Sequence, residues 1–342
     1  MVLIGLLPLS FSLVITYLEE RQAIRDTIGR DFRQIAIEAA GKIELQVMQG
    51  VSEARQLATI PILRGAVIDS NRSYAGRDPV SIRRMVREWE GRWNKGINRK
   101  QFPEFINKMA TDYLIQWHRI RKAEYIAILV TDSQGALVLS STPQAVYDQS
   151  KALWWKAAFN GGKGQIYVSD LVYDQALGFH VLDIAVPVFD DVQRQAVGAV
   201  NVRLRRDELF KPIREVRIGE QGHAMLLNTA GQPLICPVLS PDRHTINAPL
   251  MQQLTQATAG WVVAEDDSHG GKNSIVGFAP VRFPVSLAPE SLGGGGVQWL
   301  TFVRQDPRET FAPLNQLLWK VSLGAVGVFL LMLLAGLFLA RR

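Results

Sequence analysis

Two stretches of this 342-residue chain carry the same strands and turns in the same order, and this internal repetition narrows the fold more than any other feature. Tyr125–Val130 (YIAILV), the turn Asp132-Ser133-Gln134-Gly135 and Ala136–Ser140 (ALVLS) read as a β-hairpin. His223–Leu227, the turn Asn228-Thr229-Ala230-Gly231 and Gln232–Cys236 repeat it, with Asp132 and Gly135 falling on Asn228 and Gly231, 96 residues on. IAVPV at Ile184–Val188 matches GFAPV at Gly277–Val281, 93 residues apart, and VRLRRDELF at Val202–Phe210 matches VRQDPRETF at Val303–Phe311, 101 apart. Three matches at a nearly constant offset predict two copies of one antiparallel α+β unit of about 95 residues. Within the first copy, Lys151–Phe159 reads as a short helix and Gln165–Ser169, His180–Val188 and Ala196–Leu204 as strands. A helix is expected over 207–216, and the Gly/Pro-rich stretch Phe283–Gly296 reads as a loop.

Ahead of the repeats, Leu18 to about Leu63 reads as one long helix, with Ile24, Ile28, Phe32, Ile43, Val47 and Val51 recurring at helical spacings. Pro61 marks its far end. Such a helix is too long for a compact unit and suits a stalk that pairs with its copy in a homodimer. More helix is expected to about residue 122. From Ser81 to Tyr125 there are 11 Lys/Arg against 5 Asp/Glu, interleaved with Trp89, Trp93 and Trp117, which reads as amphipathic helix with a basic solvent face. That stretch accounts for the net charge of +6, so the charge does not indicate a nucleic-acid partner.

The apolar excess lies at the two ends. Val321–Ala340 is a run of 20 residues without an ionisable side chain, enough at about 1.5 Å per residue to cross about 30 Å of hydrocarbon. Arg341-Arg342 follows it and would place the C-terminus in the cytoplasm. Val2–Tyr17 is shorter and contains Pro8, yet it runs straight into helix with no small-residue cleavage site, so it reads as a second span. The body between the spans would then be periplasmic or extracellular, in a protein of the cell inner membrane.

A long helix, two tandem sheet units and a span resemble the double Cache (dCache) sensor of bacterial transmembrane receptors, over roughly residues 20–314. KALWWKAAFNGGKGQIYVSDLVYDQALGFHVLDIAVPV (Lys151–Val188) is similar to that family's first-unit core, and GEQGHAMLLNTAGQPLICP (Gly219–Pro237) to the opening of its second. The resemblance implies an α+β fold with two PAS-like antiparallel-sheet Cache units between two transmembrane helices. It implies a span at 1–17, a helical region at 18–123, a membrane-distal unit at 124–216, a membrane-proximal unit at 217–314, and a second span with a cytoplasmic stub at 315–342. Its function would be ligand reception for a histidine kinase or methyl-accepting chemoreceptor, whose output region would lie outside this chain. A membrane-anchored protein-interaction ectodomain without a small ligand is the alternative.

The resemblance also implies a small-molecule site in the distal unit. Tyr147, Trp154, Trp155 and Asp174, with Tyr173 beside it, fall on positions that the amino-acid-binding branch uses. Two positions depart: the carboxylate-gripping Arg falls on Ala152, next to Lys151, and the last-strand Asp falls on Arg203, with Asn201 as the other register. The expected ligand is therefore amine-free, a small organic acid paired by Arg203 or Lys151. Consecutive Trp on a helix point apart, so at least one of Trp154 and Trp155 should face outward unless a cavity or another element covers it.

No catalytic constellation is present: there is no phosphate-binding Gly-rich loop with Lys and Ser/Thr, no His-Glu-x-x-His and no Gly-x-Ser-x-Gly. A single cysteine, Cys236, excludes an intrachain disulfide. Cys236, His244 and His269 are spaced 8 and 25 apart, which matches no compact ligand pattern, so neither a metal nor another cofactor is expected.

Overall fold

The computed structural model describes residues 2–95, 107–142, 145–174, 179–190, 192, 194–205, 210–239, 244–256, 258–269, 272–282 and 299–340, without the side chains of 2–10, 172–174, 179–180, 333 and 337–340. The loop expected at Phe283–Gly296, the residues Arg341-Arg342 and part of the helix expected at 207–216 lie outside this description. The chain divides into two units. The first-sheet unit comprises residues 41–212 and 281–299, and the second-sheet unit residues 1–40, 213–280 and 300–342.

Helix α1 runs Val2–Thr59 and contributes to each unit. In the first-sheet unit it buries Ile43, Val47, Val51, Ala54, Leu57 and Ala58, spaced by three and four, while Lys42 and Arg55 are exposed. It breaks at Ile60, and Pro61 opens α2 (Pro61–Arg72) at the helical position that needs no N–H donor. Helix α3 (Pro79–Asn94) is capped by Asp78, whose side chain accepts from Val80 and Ser81 N–H. It buries Ile82, Val86 and Trp93 and leaves Arg83, Arg84 and Arg87 exposed, so the basic residues of α3 form a solvated face. Helix α4 spans Lys108–Ile120.

Strands β1 (Tyr125–Asp132), β2 (Leu137–Ser140), β3 (Tyr167–Val168), β4 (Val172–Asp174), β5 (Phe179–Phe189) and β6 (Ala196–Arg205) form the first sheet in the order β2-β1-β6-β5-β3, with β4 also on β5. Helix α5 (Leu153–Phe159) packs on β5 and β6. The second sheet follows a short helix α6 (Lys211–Arg214). It contains β7 (Arg217–Ile218), β8 (Gly222–Asn228), β9 (Pro233–Ile235), β10 (Gly260–Asp266), β11 (Lys272–Val281) and β12 (Trp299–Arg304), with α7 (Ala248–Gln256) between β9 and β10. Its order is β10-β11-β12-β8-β7, with β9 on β8. Matching β1, β2, β5 and β6 to β8, β9, β11 and β12 makes the two strand orders coincide, which is the repeat read from the sequence. Sequence periodicity did not show β4, β7, β10 or α7; the strands among them are short, or lack the alternation that marks a half-buried strand.

Both hairpin turns close in the same way. Gly135 and Gly231 adopt φ of +78° and +79°, the left-handed region that favours glycine. Asp132 Oδ1 accepts the N–H of Gln134 and Ala136, as Asn228 Oδ1 accepts those of Ala230 and Gln232. Asp132 goes further: it is fully buried, and its Oδ2 accepts from Ser70 (2.8 Å) and Tyr74 (2.7 Å), tying α2 to the sheet. Asp132→Ala strands these donors, and urea unfolding should show a loss of about 2–4 kcal/mol, whereas Asn228→Ala at the half-buried equivalent should lose under about 1.5 kcal/mol.

The last helices are α8 (Pro307–Thr310) and α9 (Ala312–Ala340). Among the described residues, one helical stretch, Ala312–Gly336, is long and apolar enough to cross a membrane. The earlier apolar run, Val2–Tyr17, forms the opening of α1.

Candidate functional site

The two units of the repeat fill equivalent positions differently. On β11 and β12, Phe278, Leu300 and Phe302 project into the second unit's buried core, together with Met225 on β8. The offsets that align the sequences place Ala185, Ala199 and Asn201 at those positions of the first unit. The register agrees: Asn201 on β6 stands between Leu129 on β1 and Ala185 on β5. Two phenyl rings and an isobutyl group in one unit are thus two methyls and an amide in the other. Covering this face of the first sheet are Trp154 and Ala158 of α5 and Trp93 of α3.

Asn201 is fully buried, and neither its Oδ1 nor its Nδ2 has a hydrogen-bond partner. The indole Nε1 of Trp154, a residue 4 % exposed, has none either. Burying such a group unpaired costs about 1–3 kcal/mol each, and most buried polar side chains in folded proteins are paired. Two such unpaired groups lie on this one covered face, where the second unit places apolar side chains.

Around them stand aromatic walls. Tyr147 packs against the cluster and tilts on Trp93, ring centroids 6.2 Å apart. Burial, with Asp132, Glu90 and Asp148 nearby, pushes its phenol up, so the hydroxyl keeps its proton and remains a donor. Trp155 is half-buried and packs against the same cluster, its indole N–H on the Asp132 carbonyl (3.2 Å) and its ring stacked on Phe159. Both Trp residues thus contact the cluster, the case the helical spacing allows where another element covers the second. Next to this face, Tyr74, Arg77, Met85, Trp89, Val138 and Tyr147 help to line a cavity of about 450 Å³ between α2, α3 and β2.

The remaining sequence candidates are placed as follows. Lys151 is exposed ahead of α5, whose N-cap is Ala152. Arg203 lies one register step beyond Asn201, and its Nε binds Asp183 across the strand pair at 3.0 Å. Arg304, its counterpart 101 residues on, binds Asp267 in the second unit at 2.6 Å. A last-strand Arg paired with an Asp is therefore common to both units, whereas Asn201 is peculiar to the first. Tyr173 and Asp174 sit on β4 opposite His180 and Phe179, and their side chains lie outside the described residues.

The family model described as a Cache domain, in its double form (dCache_1), matches residues 20–314. The chain belongs to the double Cache family. Double Cache proteins are sensory ligand-binding domains, and the two tandem sheets behind one long helix are their fold. A curated relative, the methyl-accepting chemotaxis protein McpA of Pseudomonas putida, is 27 % identical over 172 residues, which cover 50 % of this chain and 24 % of McpA. The match thus spans about a quarter of that relative. Among solved structures, the ligand-binding domain of the Pseudomonas fluorescens chemoreceptor CtaA in complex with L-isoleucine superposes with a TM-score of 0.52 at 16 % identity, covering 86 % of this chain and 98 % of that one. Its complex with L-leucine gives 0.50 at 17 %, covering 85 % and 99 %. At this identity the likeness is one of fold.

Sequence reading placed Trp154 in the site and gave Asn201 only as the second register. It gave no role to Trp93, Ala185 or Ala199. The signal for the two alanines was present, since the aligned repeats set Ala185 against Phe278 and Ala199 against Leu300, but it carries meaning only once the strand faces are known.

Proposed function

We propose that this double Cache chain is the ligand-sensing part of a two-span receptor of the inner membrane, binding a small molecule on the Asn201 face of the first-sheet unit. The observation that carries the reading is the unpartnered pair of Asn201 and Trp154 where the second unit has Phe and Leu. A module that only docked proteins would have no reason to keep a buried amide unpaired there. Helix α9 supports the membrane placement: Leu323, Leu330, Leu331, Met332 and Leu334 are all more than half exposed, and an apolar surface without protein cover suits lipid. The sensing body lies outside the cytoplasm, the parallel homodimer forms through α1, and the signal leaves through α9 to a methyl-accepting or kinase output. A ligand moves that equilibrium only by binding one arrangement more tightly than the other.

The chemistry of the face selects the ligand. Asn201 Nδ2 and Trp154 Nε1 donate and Asn201 Oδ1 accepts, which suits a carboxylate or carbonyl with one hydroxyl. The nearby carboxylate of Asp183 is committed to Arg203, and Ala152 provides no fork for an α-carboxylate. A buried ammonium would be poorly paired, so the ligand is a small amine-free organic acid. It stacks on Trp154 and Tyr147.

The test is a thermal-shift panel on the detergent-solubilised chain. At a hundredfold excess over its dissociation constant, a ligand of the folded state adds about 2.7 kcal/mol. Hydroxy acids and keto acids should shift the melt, and Trp154→Phe, which removes only the N–H donor and part of the ring, should weaken that shift at least about tenfold in concentration, as loss of a hydrogen bond of about 1.4 kcal/mol requires. Free L-amino acids that shift the melt while amine-free acids do not would overturn this ligand class.

A further inference from the structure

The second-sheet unit brings together three side chains that the sequence holds apart. His223 is on β8, Cys236 just follows β9, and His269 follows β10. Cys236 Sγ lies 3.7 Å from His223 Nε2 and 3.4 Å from His269 Nε2, and the three atoms all fall within 4.8 Å of one another. With metal–sulfur bonds of about 2.3 Å and metal–nitrogen bonds of about 2.05 Å, a tetrahedral ion holds sulfur and nitrogen about 3.5 Å apart. The observed separations bracket that edge.

The far sides of both rings are already fixed. His223 Nδ1 faces the Gln221 carbonyl at 2.9 Å, and His269 Nδ1 faces the Asp267 carbonyl at 3.1 Å. A carbonyl only accepts, so each Nδ1 carries the proton and each Nε2 presents a lone pair towards the sulfur. This is how metal-ligating histidines are held from behind. The Leu239 N–H donates to Cys236 Sγ at 3.2 Å. Without a cation the cluster is one proton short: a single S–H can satisfy one of the two imidazole lone pairs. A metal ion satisfies all three. Cys236 and His269 are half-buried, which leaves an entry path, while the cationic Arg304 close by is neutralised by Asp267 at 2.6 Å. His244 closes one side, edge-on to His269 at 4.6 Å between ring centroids.

We propose that His223 Nε2, Cys236 Sγ and His269 Nε2 form a binding site for a borderline-to-soft transition ion of the Zn²⁺ class, with a fourth position open to water or an exogenous ligand. A thiolate with two imidazoles disfavours the hard cations Mg²⁺ and Ca²⁺, which take oxygen ligands. On binding, the Cys236 thiol proton leaves to solvent and the neutral imidazoles release none. The site lies in a different unit from the organic-acid site and stands or falls without it. It would give the receptor a second chemical input.

The probe is Co²⁺ added to the untagged, chelator-stripped chain in detergent under reducing conditions. One equivalent per chain should produce an ultraviolet thiolate-to-cobalt charge-transfer band, which Zn²⁺ then bleaches by displacement. Cys236→Ser should abolish the band, and His223→Asn and His269→Asn should each weaken Co²⁺ binding by at least about tenfold. In the unaltered chain, one equivalent of Zn²⁺ should also protect the Cys236 thiol from alkylation, a readout that does not depend on any variant folding. Absence of the charge-transfer band together with unprotected alkylation overturns the site. So does a band that survives in His223→Asn and His269→Asn at unchanged affinity.

Discussion

Arg304→Met should destabilise the second-sheet unit by about 3–5 kcal/mol, the largest single-residue effect expected in this chain. Arg304 is 3 % exposed and Asp267 not at all, and the guanidinium meets Asp267 Oδ2 through both Nε (2.7 Å) and a terminal nitrogen (2.6 Å). Removing the cation leaves a carboxylate in the interior with its charge unanswered. Much of the loss is that exposed penalty rather than the net worth of the pair, so Asp267→Asn in the Arg304→Met background should restore part of it. Urea unfolding of the two single variants and the double closes the cycle. A loss below about 1 kcal/mol in Arg304→Met would show that the pair is solvated and replaceable. Arg203→Met at the equivalent position should cost less, because Arg203 and Asp183 are more exposed, with side chains at 24 % and 10 %.

Asn201→Val should act in the opposite sense on stability and remove function. The amide is buried without partners, and a β-branched side chain of similar size suits a central strand beside Leu129 and Ala185. Relief of the unpaired donor and acceptor should raise the ligand-free stability by about 1–3 kcal/mol. The same change removes the polar contacts that the ligand needs, so organic acids should no longer shift the melt. A variant that is more stable and unresponsive is the expected signature of a binding residue that costs the scaffold stability. A destabilised variant that still responds would place the ligand elsewhere, for which the Tyr74–Trp89 cavity is the nearest candidate.

The sequence by itself determined the elements that depend on local periodicity and on turn chemistry. The helix ending ahead of Pro61, the two Asx-closed hairpins and the doubled α+β unit were all legible because their signals are short-range: apolar spacing, an Asp or Asn followed by Gly, and repetition at a constant offset. The placement of Trp154 and Trp155 was half legible, since helical geometry separates the two without showing that both reach one cluster. What only the tertiary structure decided depends on strand register and on contacts between distant segments. A shift of two along β6 keeps the same face, so sequence could not fix the strand partners; the structure sets Arg203 against Asp183 and Asn201 against Ala185. The same physics hid the His223, Cys236 and His269 cluster. Spacings of 13 and 33 residues resemble no compact motif, yet a hairpin and a neighbouring loop fold them onto a few ångströms, because sheet pairing, not chain distance, sets which side chains meet.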